Sequence, residues 1–258
     1  LFAEEVVRSL AASGVLAGAA GAYRLLKPVP TLGVPARVQD VVASRVDGLP
    51  PSGKRALQVA AVCGAEFDLD LLGAVLGADA GALAPHLEQL ETLRFVEARD
   101  AGRKVFAFRH ALIHEVAYHG LLHSEQRAIH ASALASLAAT NASPDRLAFH
   151  AVRAERWADA VHWLELAGQA ALSRSACEQA AARFEEAIGL LPRLPADASR
   201  DRQEVELRLN LRNALFALGR HSEILGHLEA AADCQARLGD PARLAQIDGE
   251  RVAEAVAE

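Results

Sequence analysis

Residues 106–122 read FAFRHALIHEVAYHGLL, and the part from Phe106 to Tyr118 changes period in the middle. Apolar and other residues alternate through Val105, Ala107 and Arg109, as in a short strand. The spacing then turns helical at Leu112, Ile113, Val116 and Ala117. His110 stands at the junction. A polar side chain at a strand-to-helix boundary lies near the positive end of the new helix, where an anion or a phosphate is favourably placed. The same position also suits a histidine that merely closes the joint, since polar boundary residues serve as caps.

Working upstream, Phe95–Arg99 and Val105–Arg109 flank the turn Asp100–Arg103 as the two arms of a hairpin. Four helical segments precede it. Val38–Leu49 is the first, and Gly53–Cys63 follows the Pro50-Pro51 break with Leu57, Ala60 and Ala61 facing inward. Phe67–Leu76 comes next with Asp68 as its cap, and then Ala82–Leu93 with Leu83, Leu87 and Leu90 on one face. Helices followed by a two-stranded hairpin give the order of a winged helix, placed at residues 35–123. Pro28, Pro30 and Pro35 mark a linker ahead of it. Before the linker, residues 1–13 read as a helix closed by Gly14. Val15–Leu26 reads as a small hairpin around Gly18–Gly21. A helix that starts uncapped at the first residue is expected to continue a domain lying upstream, so residues 1–34 are read as the C-terminal end of that module.

Downstream of Tyr118 the pattern is helical throughout. The helix opened after His110 runs to about Leu122, Glu125–Ala139 follows, and Asn141–Asp145 breaks the pattern. Helices of about 12 to 18 residues then alternate with short breaks, the form of a helical repeat array over residues 124–258. Gly168, Ala180, Phe184, Ala187 and Pro192 succeed one another at steps of 12, 4, 3 and 5. These steps match the tetratricopeptide pattern, in which small residues let paired helices approach and a proline ends the second. Ile224, Leu228 and Ala231 repeat the steps of 4 and 3. In this second copy Arg212 replaces the glycine and Pro241 comes late. The expected fold is mainly α: a winged helix with a small β-hairpin wing, then a TPR-like repeat array.

The composition suits such a molecule. With 258 residues, 52% hydrophobic and 23% charged, the chain can bury a core, and scarce aromatics with abundant alanine suit closely packed helices. A formal charge of −6 provides no general attraction to nucleic acid or to an anionic membrane. Cys63, Cys177 and Cys234 are far apart and match no zinc spacing, which points to thiols in a reducing cytoplasm. No run of about 18 uncharged apolar residues is present to span a membrane. The chain has no Met and begins with Leu1, so a fragment of a longer protein is expected.

Three motifs invite chemistry and fail on context. GLPPSGKR at 48–55 is one residue short of a phosphate-binding loop, has Arg55 at the magnesium-ligand hydroxyl position, and follows a helix rather than a strand. His114-Glu115 begins like a zinc-protease motif, but Tyr118 occupies the second histidine's place. The pairs His110/His114 and His119/His123, read on one helix, point to opposite faces at roughly 100° per residue and share no metal. The stretch in the groove-reading place, GALAPHLEQLETLR (81–94), carries Glu88, Glu91 and Arg94 as its only formal charges, whereas groove reading needs cations and amides. DNA is therefore not an expected partner of this fragment, although Arg99, Arg103 and Lys104 lie in the wing. No catalytic set and no metal cluster is legible.

With these residues in place, the chain resembles a known family. VPARVQDVVASRVDGLPPSGKRALQVAAVCGAEFDLDLLGAVLG (34–77) followed by FAFRHALIHEVAYHGLL looks like the region after the nucleotide-binding domain of bacterial STAND-type signalling ATPases. It is most similar to the branch fused to class III adenylate or guanylate cyclase domains or to a LuxR-type DNA-binding domain. LFAEEVVRSLAASGVL (1–16) is similar to the helix after that family's Gly-Asn-Pro turn. The resemblance covers residues 1 to about 170. It implies an ATP- or ADP-binding domain with magnesium upstream, on which the winged helix closes. It also implies a protein or small-molecule inducer on the repeats. The winged-helix histidine that touches the β-phosphate of bound ADP would be His110, in a pattern resembling the Met-His-Asp motif of plant relatives. Arg109 stands in place of that methionine and Ala111 in place of the aspartate. One charge-assisted hydrogen bond of this kind contributes about 1.5–3 kcal/mol, enough to bias a two-state switch. The fragment itself is expected to be no enzyme. The competing expectations are a winged-helix transcription regulator and a TPR scaffold without nucleotide control.

Overall fold

The computed structural model describes residues 16–18, 23–25 and 38–257. The expected helix over residues 1–13 and the proline linker lie outside them. Among the described residues there are twelve α-helices and a small three-stranded sheet, and 75% of those residues are helical. The chain divides into two compact units, Leu1–Ser136 and Leu137–Glu258. No helix among the described residues is long and apolar enough to cross a membrane.

The first unit opens with β1 (Leu16–Ala17) and β2 (Arg24–Leu25), paired antiparallel. Helix α1 (Val38–Asp47) and α2 (Pro51–Cys63) follow, the second starting on a proline at its first position, where the missing N–H costs nothing. Every residue of α2 from Ala56 to Cys63 is buried. A helix apolar on all sides belongs at the centre of a unit, and α2 indeed packs against four neighbouring elements. After β3 (Glu66–Asp68) come α3 (Leu69–Leu76) and α4 (Ala80–Thr92). The Asp79 carboxylate caps α4 by accepting the Ala82 N–H at 2.8 Å. Next are β4 (Val96–Ala98), β5 (Val105–Phe108), α5 (Ala111–His119) and α6 (His123–Ala139).

Three expectations need correction here. Phe67 does not begin a helix: it lies in β3, an added strand that makes the sheet three-stranded in the order β3-β5-β4. Phe67 pairs with Phe106 and their rings stack at 5.9 Å, a long-range contact that local periodicity cannot display. Asp68 precedes α3, but its side chain makes no capping hydrogen bond. Helix α5 ends at His119 rather than near Leu122, because the Gly120 N–H closes onto the Val116 carbonyl. His123 therefore opens the next helix, and the two histidine pairs do not share one helix.

The second unit is a run of helices, each packed on its neighbours in sequence. They are α7 (Pro144–Arg153), α8 (Trp157–Ser173), α9 (Cys177–Leu190), α10 (Ala198–Ala217), α11 (His221–Leu238) and α12 (Pro241–Ala257). A 3-10 turn, Leu191–Arg193, follows α9. Short connections force each helix back along the one before it. The core runs from Ala148 to Ile247 and is built mostly of alanine and leucine, with the Phe184 ring fully buried among them.

Candidate functional site

His110 ends β5 and opens α5. Its backbone is extended (φ −145°, ψ 139°) and its carbonyl accepts the Ile113 and His114 N–H groups at 3.0 and 3.4 Å. The residue is half-buried, and its ring makes neither a capping hydrogen bond nor any other hydrogen bond among the described residues. Side-chain capping is the work of a short acceptor oxygen, and an imidazole on this extended backbone does not do it. The joint is closed one turn later. His114 Nε2–H donates to the Ala61 carbonyl at 2.8 Å, in the last turn of α2 where intrahelical donors run out. A carbonyl can only accept, so the proton sits on Nε2. The His114 ring also meets Phe108 edge-on at 5.1 Å and lies beside Tyr118 at 6.3 Å. The sequence offered no sign of which histidine would hold the joint.

The far end of α5 is pinned by polar contacts. The Tyr118 hydroxyl shares a hydrogen bond with Nε2 of the fully buried His130 at 3.1 Å. The Gln126 amide donates to the Tyr118 carbonyl at 2.9 Å. With both ends held, α5 presents the His110 ring from a fixed support.

Around the sheet the cations are largely matched. Arg99 and Arg109 both pair with Glu97, at 2.9 and 3.2 Å, and Arg103 pairs with Glu91 at 2.5 Å. Glu91 also accepts the Ala98 N–H at 3.0 Å, which ties α4 to β4. Lys54, the lysine of the incompletely matched phosphate-loop pattern, lies inside α2 and pairs with Asp47 at 2.8 Å.

In the second unit, Gly168 on α8 faces Phe184 on α9. Ala180, Phe184 and Ala187 have no exposed surface, and Pro192 lies in the 3-10 turn after α9. On α11, Ile224, Leu228 and Ala231 are equally buried. Arg212 on α10 is half-buried, with its guanidinium 5.7 Å from the Phe216 ring and 4.0 Å from Glu250.

Tertiary structure also gathers Asp201, Glu204 and Cys234, whose ligand atoms lie within 4.8 Å of one another. These are residue types that hold metals, but the cluster already contains its counter-charges. Arg237 donates to Asp201 at 2.7 Å and to the Cys234 sulfur at 3.0 Å, and Arg208 donates to Glu204 at 2.6 Å. The Arg237 hydrogen bond holds the Asp201 carboxyl below its ordinary range, while burial pushes the Cys234 thiol up. A protonated thiol beside two guanidiniums is a poor cation site.

Comparison of the chain with protein-family models, with curated proteins and with solved structures finds no match.

Proposed function

We propose that this chain is the regulatory and protein-interaction segment of a nucleotide-controlled signal-transduction ATPase of the cytoplasm, with a winged helix that closes on an ADP-bound domain upstream. The helical run after it is a TPR-like array that receives a partner or ligand. The observation that carries this reading is His110: a half-exposed ring at the start of a helix, without a hydrogen-bond partner, while His114 does the structural work beside it. A phosphate oxygen at the N-terminus of α5 would meet both the imidazole and the positive end of the helix.

The winged-helix reading is supported by the order α2, β3, α3, α4, β4, β5, in which one strand separates the first two helices and a hairpin follows the third. The repeat reading is supported by the close approach of α8 and α9 at Gly168 and Phe184. Against direct DNA reading, α4 carries Glu88 and Glu91, and three arginines around the sheet are already paired with carboxylates. A mobility shift of random duplex by this chain at low salt would overturn that exclusion.

The direct test is the rate of ADP release from a chain that carries a nucleotide-binding domain ahead of Leu1. His110→Ala is expected to release ADP roughly tenfold faster or more, the equivalent of losing one charge-assisted hydrogen bond. An unchanged rate in a folded variant removes His110 from the switch.

A further inference from the structure

Arg208 on α10 donates to Nδ1 of His227 on α11 at 3.1 Å. A guanidinium offers no acceptor, so Nδ1 carries a lone pair and the proton of the ring sits on Nε2. The contact therefore exists only while the imidazole is neutral. A proton added at Nδ1 removes the acceptor and sets a second cation against the Arg208 side chain, which is 16% exposed and little screened by solvent.

Each partner has a carboxylate one turn back on its own helix. Glu204 accepts from Nε of Arg208 at 2.9 Å and from Nη2 at 2.6 Å, so the guanidinium keeps its place when His227 leaves it. Glu223 stands four residues before His227, the spacing and direction in which a carboxylate supports a cation on a helix. Glu185 of α9 also favours the charged ring, and Arg220 opposes it. These two carboxylates are at present turned to Arg220, Glu223 at 2.6 Å and Glu185 at 3.8 Å.

Burial, together with the charge of Arg208, holds the His227 pKa below its ordinary 6.5. The fold thus favours the neutral ring. The contact is complete above pH 6.5 and is lost as the pH falls through the lower value of the folded chain. Farther from the turn that joins α10 to α11, Arg237 ties the two helices through Asp201 at 2.7 Å. The Asp201 carboxyl is held below its ordinary range by that bond, so this tie persists in mild acid.

We propose that His227 is a proton-operated latch between α10 and α11. Neutral, it is fastened to Arg208; protonated, it lets go and turns to Glu223 and Glu185. The part of the helix pair next to the connecting turn then loosens, while the Asp201–Arg237 end stays tied. The latch belongs to the second unit alone. Its use in signalling rests on the helical array being the receiving surface of a switch.

The test follows the ring and the backbone in the full 258-residue chain. Histidine nitrogen–proton NMR correlations, with the His227 signal identified by its loss in His227→Leu, are expected to show the Nε2–H tautomer at about pH 7.5 and a doubly protonated ring in mild acid. Amide hydrogen exchange, corrected for its intrinsic pH dependence, is compared in those two states. Amides of residues 212–226 are expected to exchange roughly tenfold or more faster in the protonated state, relative to those of α8 and α9, as for the loss of one hydrogen bond to a charged group. His227→Leu is expected to lack this step. In Arg208→Gln, where the opposing charge is gone, His227 is expected to protonate at a higher pH than in the parent. An Nδ1–H tautomer at about pH 7.5, a ring that stays neutral until the chain unfolds, or unchanged exchange between the two states overturns the latch. So does a step retained in His227→Leu, or a protonation midpoint that Arg208→Gln leaves unmoved or lowers. No nucleotide enters these measurements, so their failure leaves the role of His110 standing, and an unchanged ADP release rate leaves the latch standing.

Discussion

A β-carbon placed on Gly168 of α8 would fall 2.5 Å from Cε1 and 2.7 Å from Cζ of Phe184 on α9. The ring occupies the space that any larger residue at 168 would need. Phe184 has no exposed surface, so it cannot swing out to make room. Helix propensity alone favours alanine over glycine by about 1 kcal/mol, while overpacking a closed core costs about 1–3 kcal/mol. Gly168→Ala is therefore expected to be less stable in urea by up to about 2 kcal/mol, and Phe184→Leu in the same chain to recover part of the loss. A gain in stability from Gly168→Ala would mean that the ring yields.

His110 and His114, one turn apart, are expected to respond differently to substitution. His114→Leu leaves the Ala61 carbonyl without its donor and should cost about 1–3 kcal/mol. His110→Ala removes a half-exposed ring with no hydrogen bond and should stay within about 0.5 kcal/mol of the parent. Denaturation midpoints of the two variants check this, and a larger loss for His110→Ala would give that residue a structural role.

His150 on α7 is 1% exposed. Burial, reinforced by the charges of Arg146 and Arg153, lowers its pKa from 6.5 to about 4. It is neutral in the fold, so between these values the unfolded chain binds a proton that the native state does not. Stability then rises with pH across that window: it is complete above pH 6.5 and falls by about 3 kcal/mol on going down to pH 4. Guanidinium midpoints at pH 7 and pH 4.5 are expected to differ less in His150→Leu than in the parent. Equal acid sensitivity in the two chains would clear His150 of this role.

The three thiols are expected to label in a fixed order. Cys177 is partly exposed, whereas Cys63 and Cys234 are buried. Burial also holds the Cys234 thiol protonated. An aromatic disulfide reagent at pH 8 should titrate Cys177 first and reach the other two only on unfolding. Prompt reaction of all three in the native protein would contradict this packing.

Much of the helical framework was legible in the chain because a helix repeats itself every few residues. Val38–Asp47, Pro51–Cys63 and the later helices carry their apolar faces at spacings set by backbone geometry alone. The β4-β5 hairpin was equally readable, since its two strands are joined by a short local turn. Gly168, Ala180, Phe184 and Ala187, which the sequence spaces at fixed helical offsets, are all buried in the structure. The sequence also marked His110 as standing at a strand-to-helix joint.

Only the tertiary structure decided which groups would find partners. Phe67 became a strand residue because Phe106 stacks on it from the far side of two helices. His114 rather than His110 closed the joint because the end of α2 arrives within reach of its ring. Asp201 and Cys234 share Arg237 across two helices. A hydrogen bond depends on where a distant part of the chain comes to rest. Local periodicity records the face that a residue is turned to and carries nothing about what waits there.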